Sequence, residues 1–171
     1  GAGESKRMGK PKLLLPYQQS TIIETVVQTA VTSDVDAVTV VLGANAGRIA
    51  EKIVHQNVSI VVNKAYRDGM FSSIQCGLRQ LPSDTSAIVL MLGDQPGIPA
   101  AVVDTIIAAR KESDMKIILP LYESRKGHPI LIHMSLRDEL LSSGLKEGMR
   151  SFMKQNEMNI LELPVSSSAI L

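Results

Sequence analysis

Cysteine, aromatic residues and excess charge are all scarce in this chain of 171 residues. Its one cysteine, Cys76, cannot form a disulfide within the chain, which favours a reducing compartment. Aromatic residues amount to 3% and tryptophan is absent, so a groove that stacks nucleic-acid bases on rings is not expected. The formal net charge is only +1, which argues against binding to nucleic acid through a basic surface.

Long hydrophobic runs are also absent, and none approaches the roughly 18 residues of a membrane-spanning helix. We therefore predict a cytoplasmic protein without a membrane partner. Hydrophobic residues at 44% and charged residues at 20% are typical of a folded chain rather than a disordered one. The length predicts a single domain, because domains commonly have roughly 100–200 residues.

Short β-branched runs alternate along the chain with longer runs of helical periodicity. Strands are predicted at 38–42, 58–62, 87–92, 117–120, 129–133 and 159–163. Helices are predicted at 21–32 (with Ser20 as the N-cap), 46–55, 72–80, 99–110, 135–141 and 148–154. Such apolar strands, with 87–92 as a central one, predict a three-layer α/β fold with a mostly parallel sheet covered on both faces. Ligands bind such sheets beyond the carboxyl ends of the strands, so the loops there are the candidate sites.

The segment 1–12 combines glycines with basic residues. Glycines let the backbone approach a phosphate closely, and successive N–H groups in such a turn can bind an anion. Arg7 and Lys12 carry the charge to neutralise a triphosphate. The spacing is not that of a Walker A loop, and glycines and lysines alone are better explained by a solvated basic turn.

Gly93-Asp94-Gln95-Pro96 follows the most hydrophobic predicted strand directly. A carboxylate in that position is well placed to hold Mg²⁺ against phosphates. An aspartate that caps the following turn is an equally good explanation of the same residues.

The segment 62–78 places a turn at Gly69 before a helix that is predicted to begin with Ser72 and Ser73. Hydroxyls and free N–H groups at a helix start can hold a base or a sugar. Ordinary capping of the helix is the favoured alternative when these residues are considered alone.

His128 and Arg150, which come later in the chain, are candidates for contact with a second substrate. His128 lies in the tripeptide Gly-His-Pro before a predicted strand, where a structural hydrogen bond is the alternative role. Arg150, in Gly-Met-Arg, could hold an anionic group or pair with a surface carboxylate.

Together these motifs resemble one family. The string Gly-x-Ser-x-Arg-Met-Gly-x-x-Lys at 3–12 is similar to the signature of the nucleotidyltransferases of molybdenum-cofactor maturation, which share a Rossmann-like α/β fold. Leu-Gly-Asp-Gln-Pro at 92–96, Asn-x-x-Tyr-x-x-Gly-Met-x-Ser-Ser at 63–73 and Gly-His-Pro at 127–129 resemble further motifs of that family. Ala-Gly at 2–3 and Pro-Lys at 11–12 are similar to its cytidylyltransferase branch.

The resemblance implies an enzyme that transfers CMP from CTP to a molybdopterin-type cofactor and releases pyrophosphate. Asp94 is implied to hold Mg²⁺, and Arg7 and Lys12 to stabilise the phosphates. The remaining implied binding residues are Ala2, Gly3 and Ser5 at the nucleotide, Gly69, Ser72 and Ser73 at the base, and His128 and Arg150 at the acceptor. A molybdoenzyme that receives the product is a partner compatible with this role.

Three alternatives stay open. The acceptor could be another small phosphorylated compound such as a sugar or alcohol phosphate, the nucleotide could be GTP, or the protein could carry nucleotide or cofactor without catalysis.

A phosphate loop normally follows a strand, and the family normally ends with an acidic segment. We therefore expect the single nucleotidyltransferase domain at 1–171 to lack a first strand before Gly1 and a terminal segment after Leu171.

Overall fold

The structure is a computed structural model and describes residues 11–142, 144 and 148–171. Its strands are β1 (Pro16–Tyr17), β2 (Ser20–Thr21), β3 (Thr39–Leu42), β4 (Ser59–Val62), β5 (Ala87–Leu90), β6 (Ile117–Tyr122), β7 (Arg125–Lys126), β8 (Ile130–His133) and β9 (Ile160–Pro164). Its α-helices are α1 (Ile22–Val31), α2 (Ala46–Ile53), α3 (Met70–Leu78), α4 (Ala100–Lys111), α5 (Arg137–Ser142) and α6 (Gly148–Gln155). None of the helices among these residues has the length and hydrophobicity of a membrane-spanning helix.

The chain divides into two compact units. The first consists of Gly1–Leu81 and Gly93–Pro96, and the second of Pro82–Leu92 and Gly97–Leu171. The assignment of all 171 residues to a single domain stays a prediction.

In the first unit, β3 and β4 run parallel, in register from Thr39 opposite Ser59 to Leu42 opposite Val62. Their apolar side chains pack with those of the neighbouring helices, because β-branched residues fill a pleated surface well. The buried members of this core are Leu13, Ile23, Val27, Val40, Leu42, Ile49 and Ile53. Since both strands are parallel, the segments that follow them leave the same edge of the sheet.

In the second unit, the strand order is β5-β8-β6-β7, and β9 pairs with β6. The β6–β9 pair is parallel, whereas β8 is antiparallel to both β5 and β6. The buried members of its core are Ile98, Val102, Val103, Ile106, Ile118, Leu131 and Ile170.

The predicted α/β class is confirmed, but the sheet of the second unit is mixed rather than mostly parallel. The chain between β6 and β8 contains only the short strand β7, and a parallel crossover needs about a dozen residues or more. The strand predicted at 87–92 as a central one ends at Leu90 and lies at the end of its described sheet, where it pairs with β8.

Two predicted helix starts are corrected. Thr21, rather than Ser20, is the N-cap of α1, because Thr21 forms a capping box with Glu24. Helix α3 begins at Met70, two residues before Ser72, because Gly69 adopts a φ of 100° and turns the chain directly into the helix.

The capping box gives the first prediction. The Thr21 hydroxyl hydrogen bond holds the pKa of the Glu24 carboxyl below its ordinary value. A lowered pKa contributes stability that is present above the unfolded-state pKa and is lost as the pH falls through the folded-state pKa. Thr21→Ala should lower the free energy of unfolding by about 1 kcal/mol at pH 7. Below about pH 4, the ordinary pKa of the carboxyl, the difference in free energy of unfolding between the variant and the parent chain should shrink in urea unfolding. A difference that does not depend on pH would contradict this role.

A second prediction concerns Gly127, which is buried. A Cβ at this position would overlap the carbonyl oxygen of Ile170 and lie 2.8 Å from its Cδ1 atom. Gly127→Ala should therefore lower the free energy of unfolding by about 1–3 kcal/mol. The matched control is Gly47→Ala in α2, where nothing lies within 4 Å of the new Cβ. That control should stabilise by about 0.5–1 kcal/mol, and equal effects of the two variants in urea unfolding would overturn the packing argument.

Candidate functional site

Lys12 and Asp94 form an ion pair in the first unit. The Lys12 Nζ atom lies 2.9 Å from Asp94 Oδ2, although the two residues are 82 positions apart in sequence. Lys12 begins a single 3₁₀ turn, Lys12–Leu14, which the buried side chain of Leu13 anchors in the core. Asp94 lies in the turn that follows β5. The structure thus brings together two residues that the sequence assigned separately to phosphate and metal binding.

Both side chains of this pair remain accessible to solvent. The Lys12 side chain is 42% exposed and that of Asp94 is 46% exposed. An ion pair at such exposure contributes little to folding stability, typically about 0–1 kcal/mol. An ammonium beside a carboxylate can instead bind a metal–phosphate group, because phosphate oxygens accept from the ammonium and a hard cation binds the carboxylate.

Asn63 organises the loop between β4 and α3. Asn63 is 4% exposed, and its Oδ1 atom accepts the backbone N–H of Ala65 at 2.9 Å. Its Nδ2 atom donates to Ser72 Oγ at 2.9 Å and to Ser73 Oγ at 3.0 Å. The backbone N–H can only donate, so the orientation of the amide is fixed by its partners.

The two serines differ in their surroundings. Ser72 is 6% exposed, and its hydroxyl lies 2.8 Å from the Gly69 carbonyl and 3.0 Å from the Ala65 carbonyl. Ser73 is half-buried, and Gly69 is exposed. The three residues predicted to lie near a base therefore lie together at the start of α3, where the Ser72 hydroxyl donates to the backbone.

Asn63 was not among the predicted site residues. Its signal in the sequence is its place at the start of the motif Asn-x-x-Tyr-x-x-Gly-Met-x-Ser-Ser at 63–73. Only the folded structure shows that its amide reaches both hydroxyls.

His128 and Arg150 belong to the second unit and are described there. His128 is half-buried in the loop before β8, and its backbone N–H donates to the Ile170 carbonyl at 3.0 Å. Arg150 is exposed in the first turn of α6. Their predicted contact with an acceptor stays a prediction.

Four predicted site residues lie outside the described residues: Ala2, Gly3, Ser5 and Arg7. Within the described part of the chain, no group of three or more His, Cys, Asp or Glu side chains is arranged to hold a metal ion. The predicted role of Asp94 as a metal ligand stays a prediction.

Comparison with known proteins places these residues in a wider context. The sequence from residue 1 to 160 matches the model of the MobA-like NTP transferase domain. Nicotine blue oxidoreductase of Paenarthrobacter nicotinovorans is 31% identical over 163 residues, which cover 90% of this chain and 78% of that protein. Molybdenum cofactor cytidylyltransferase of Escherichia coli K12 is 30% identical over 132 residues, which cover 77% of this chain and 66% of that protein.

A solved structure is similar over nearly the whole chain. Rv0371c from Mycobacterium tuberculosis H37Rv superposes with a TM-score of 0.85 at 27% identity, covering 96% of this chain and 84% of that one. A second structure of Rv0371c is a complex with manganese. The similarity confirms the Rossmann-like α/β fold that the motifs predicted, and the match over residues 1–160 shows that this chain belongs to the MobA-like NTP transferase family.

Proposed function

We propose that this protein transfers CMP from CTP to the phosphate of a molybdopterin-type acceptor and releases pyrophosphate. The observation that carries the proposal is the contact of Lys12 with Asp94 at 2.9 Å, which joins the end of the basic glycine-rich segment to the carboxylate after β5. The likeness to a molybdenum cofactor cytidylyltransferase supports the choice of reaction. The single cysteine favours a cytoplasmic location.

Asp94 fits the requirements of a Mg²⁺ ligand in such an enzyme. Mg²⁺ at nucleotide sites is commonly held by one or two carboxylates together with substrate phosphates, and Asp94 offers an accessible carboxylate in a turn. When bound, the metal neutralises charge on the phosphate oxygens.

The chain's own groups position the phosphates and neutralise them. The Lys12 ammonium, released from Asp94, would donate to the β- and γ-phosphate oxygens, and we propose the same role for Arg7. An oxygen of the acceptor phosphate forms a new bond to the α-phosphorus of CTP, and the bond from that phosphorus to the bridging oxygen breaks. Because a phosphate is already a nucleophile at neutral pH, positioning and electrostatic stabilisation suffice without a general base.

Separate groups of residues would bind the nucleotide and the acceptor substrate. We propose that Ala2, Gly3 and Ser5 contact the nucleotide and that Gly69, Ser72 and Ser73 border the base. His128 and Arg150 would hold the acceptor, where the guanidinium can bind an anionic group in bidentate fashion. A molybdoenzyme that takes up the product fits this scheme as a partner.

A second candidate is a redox reaction on a compound such as nicotine blue. The observation that favours it is the 31% identity to nicotine blue oxidoreductase over 163 residues. The two candidates differ in their products, because only nucleotidyl transfer releases pyrophosphate.

The first test of this function is a screen of four nucleoside triphosphates. CTP, GTP, ATP and UTP are each incubated with Mg²⁺ and molybdopterin, and pyrophosphate is measured. We expect release with CTP and molybdopterin together, and none when simple sugar or alcohol phosphates replace molybdopterin. Preference for GTP, or release with simple phosphates, would assign another substrate. The redox candidate is tested in a separate incubation of the chain with nicotine blue and a two-electron donor such as a reduced nicotinamide, and conversion there without pyrophosphate release in the first assay would favour it.

The second test is the variant Asp94→Ala. Removing the carboxylate should lower kcat/KM for CTP by at least about 100-fold, because charge stabilisation at a transferring phosphoryl group is lost. The free energy of unfolding should change by less than about 1 kcal/mol, since the lost ion pair is exposed. The control is Asp36→Ala, which removes an exposed aspartate of the same unit and should leave activity unchanged. Near-normal Mg²⁺-dependent turnover by Asp94→Ala would refute the assignment.

A further inference from the structure

Asn63 donates to both serines, but the hydrogens of the two serine hydroxyls are used differently. The two N–H groups of its amide go one to each hydroxyl oxygen, at 2.9 Å for Ser72 and 3.0 Å for Ser73. Each serine hydroxyl has a single hydrogen to donate. The role of each serine therefore depends on the acceptor of its hydroxyl hydrogen.

The Ser72 hydrogen is used within the protein. Carbonyl oxygens of Gly69 and Ala65 lie 2.8 Å and 3.0 Å from its Oγ atom, and the residue is 6% exposed. Ser72 thus accepts from Asn63 and donates to the backbone, so its hydroxyl holds the loop in place.

The hydroxyl hydrogen of Ser73 differs from that of Ser72. Its oxygen accepts from Asn63, and no hydrogen bond from its hydroxyl to an acceptor is found within residues 11–142, 144 and 148–171. An N–H group pointing at the oxygen prevents the hydroxyl hydrogen from turning toward Asn63. Ser73 is half-buried, so its hydrogen remains for a group outside this network.

We infer that Asn63 is a positioning residue that fixes the Ser73 hydroxyl as a hydrogen-bond donor to an acceptor atom of the nucleotide base. This inference rests on the proposed function, which borders the base with Ser73. Cytosine presents two acceptors in its ring region, the N3 nitrogen and the O2 carbonyl oxygen, and either can receive this hydrogen. Asn63 itself is 4% exposed and acts only through the serine.

The test exchanges the amide for a carboxylate of the same shape. In Asn63→Asp, one carboxylate oxygen still accepts the Ala65 N–H. The second oxygen replaces the amide nitrogen and can only accept, so the Ser73 hydroxyl hydrogen turns toward it and away from the base. KM for CTP should rise roughly 3- to 10-fold, the range expected for one hydrogen bond, while kcat changes less than about twofold. Ser73→Ala should give the same increase. Asn63→Ala, which releases the hydroxyl without reversing it, should give a smaller one.

The double variant Asn63→Asp/Ser73→Ala separates a positioning role from a merely structural one. If Asn63 acts through Ser73, the double variant has the same KM as Ser73→Ala, because the two changes remove one interaction. Multiplied effects on KM would overturn the inference. If Asn63→Asp fails to fold, judged by urea unfolding, the same comparison is made with Asn63→Ala.

The control is Ser33→Ala, which removes another buried serine hydroxyl of the same unit. Ser33 is 8% exposed, and its hydroxyl donates to the Thr29 carbonyl at 2.7 Å. This variant should lose stability without a change in KM for CTP. A matching rise in KM would show that loss of stability alone accounts for the Ser73 result.

Direct binding of CTP by calorimetry distinguishes the failure of this inference from that of the proposed function. If the parent chain binds CTP but releases no pyrophosphate, the proposed reaction is wrong, and the same order of variants in Kd still supports the role of Asn63. If the parent chain turns over CTP and the Asn63 and Ser73 variants bind it equally well, the inference is wrong and the function stands. If the parent chain binds no CTP, both are overturned.

Discussion

A buried amide must have partners for all its polar groups, and this requirement at Asn63 determines the loop that follows β4. Leaving such a group unsatisfied costs about 1–3 kcal/mol, so the positions of Ala65, Ser72 and Ser73 are held together as one arrangement. Gly69 makes that arrangement possible, because its φ of 100° lets the chain turn back toward Asn63 within a few residues. Four residues at the carboxyl end of the strand, Asn63, Ala65, Ser72 and Ser73, are therefore joined by one set of hydrogen bonds.

The contact between Lys12 and Asp94 follows a different physical rule. Both side chains are more than 40% exposed, so their attraction is screened by water and holds little of the fold together. A pair that contributes little to stability can be separated at little cost when a metal–phosphate group arrives. In the proposed site, hydrogen-bonded side chains would border the base, and an exposed ion pair would meet the phosphates.

The sequence alone predicted the class and most helices and strands, because hydrophobic periodicity marks them directly. It did not predict that β8 lies between β5 and β6, since strand order depends on long-range pairing that periodicity does not record. It singled out Lys12 and Asp94 by motif, but their contact depends on folding across 82 positions. It placed Asn63 in a motif but gave it no role, because the sequence does not show whether an asparagine after a strand is buried or exposed.

The central claim is that the basic segment and Asp94 together bind a metal nucleoside triphosphate. The most direct measurement is a crystal structure with CTP and Mn²⁺, in which the anomalous signal locates the metal. We expect a manganese peak within bonding distance of the Asp94 carboxylate, with the Lys12 ammonium turned from Asp94 to the phosphates. A peak elsewhere, with the Lys12–Asp94 pair intact beside bound CTP, would contradict it.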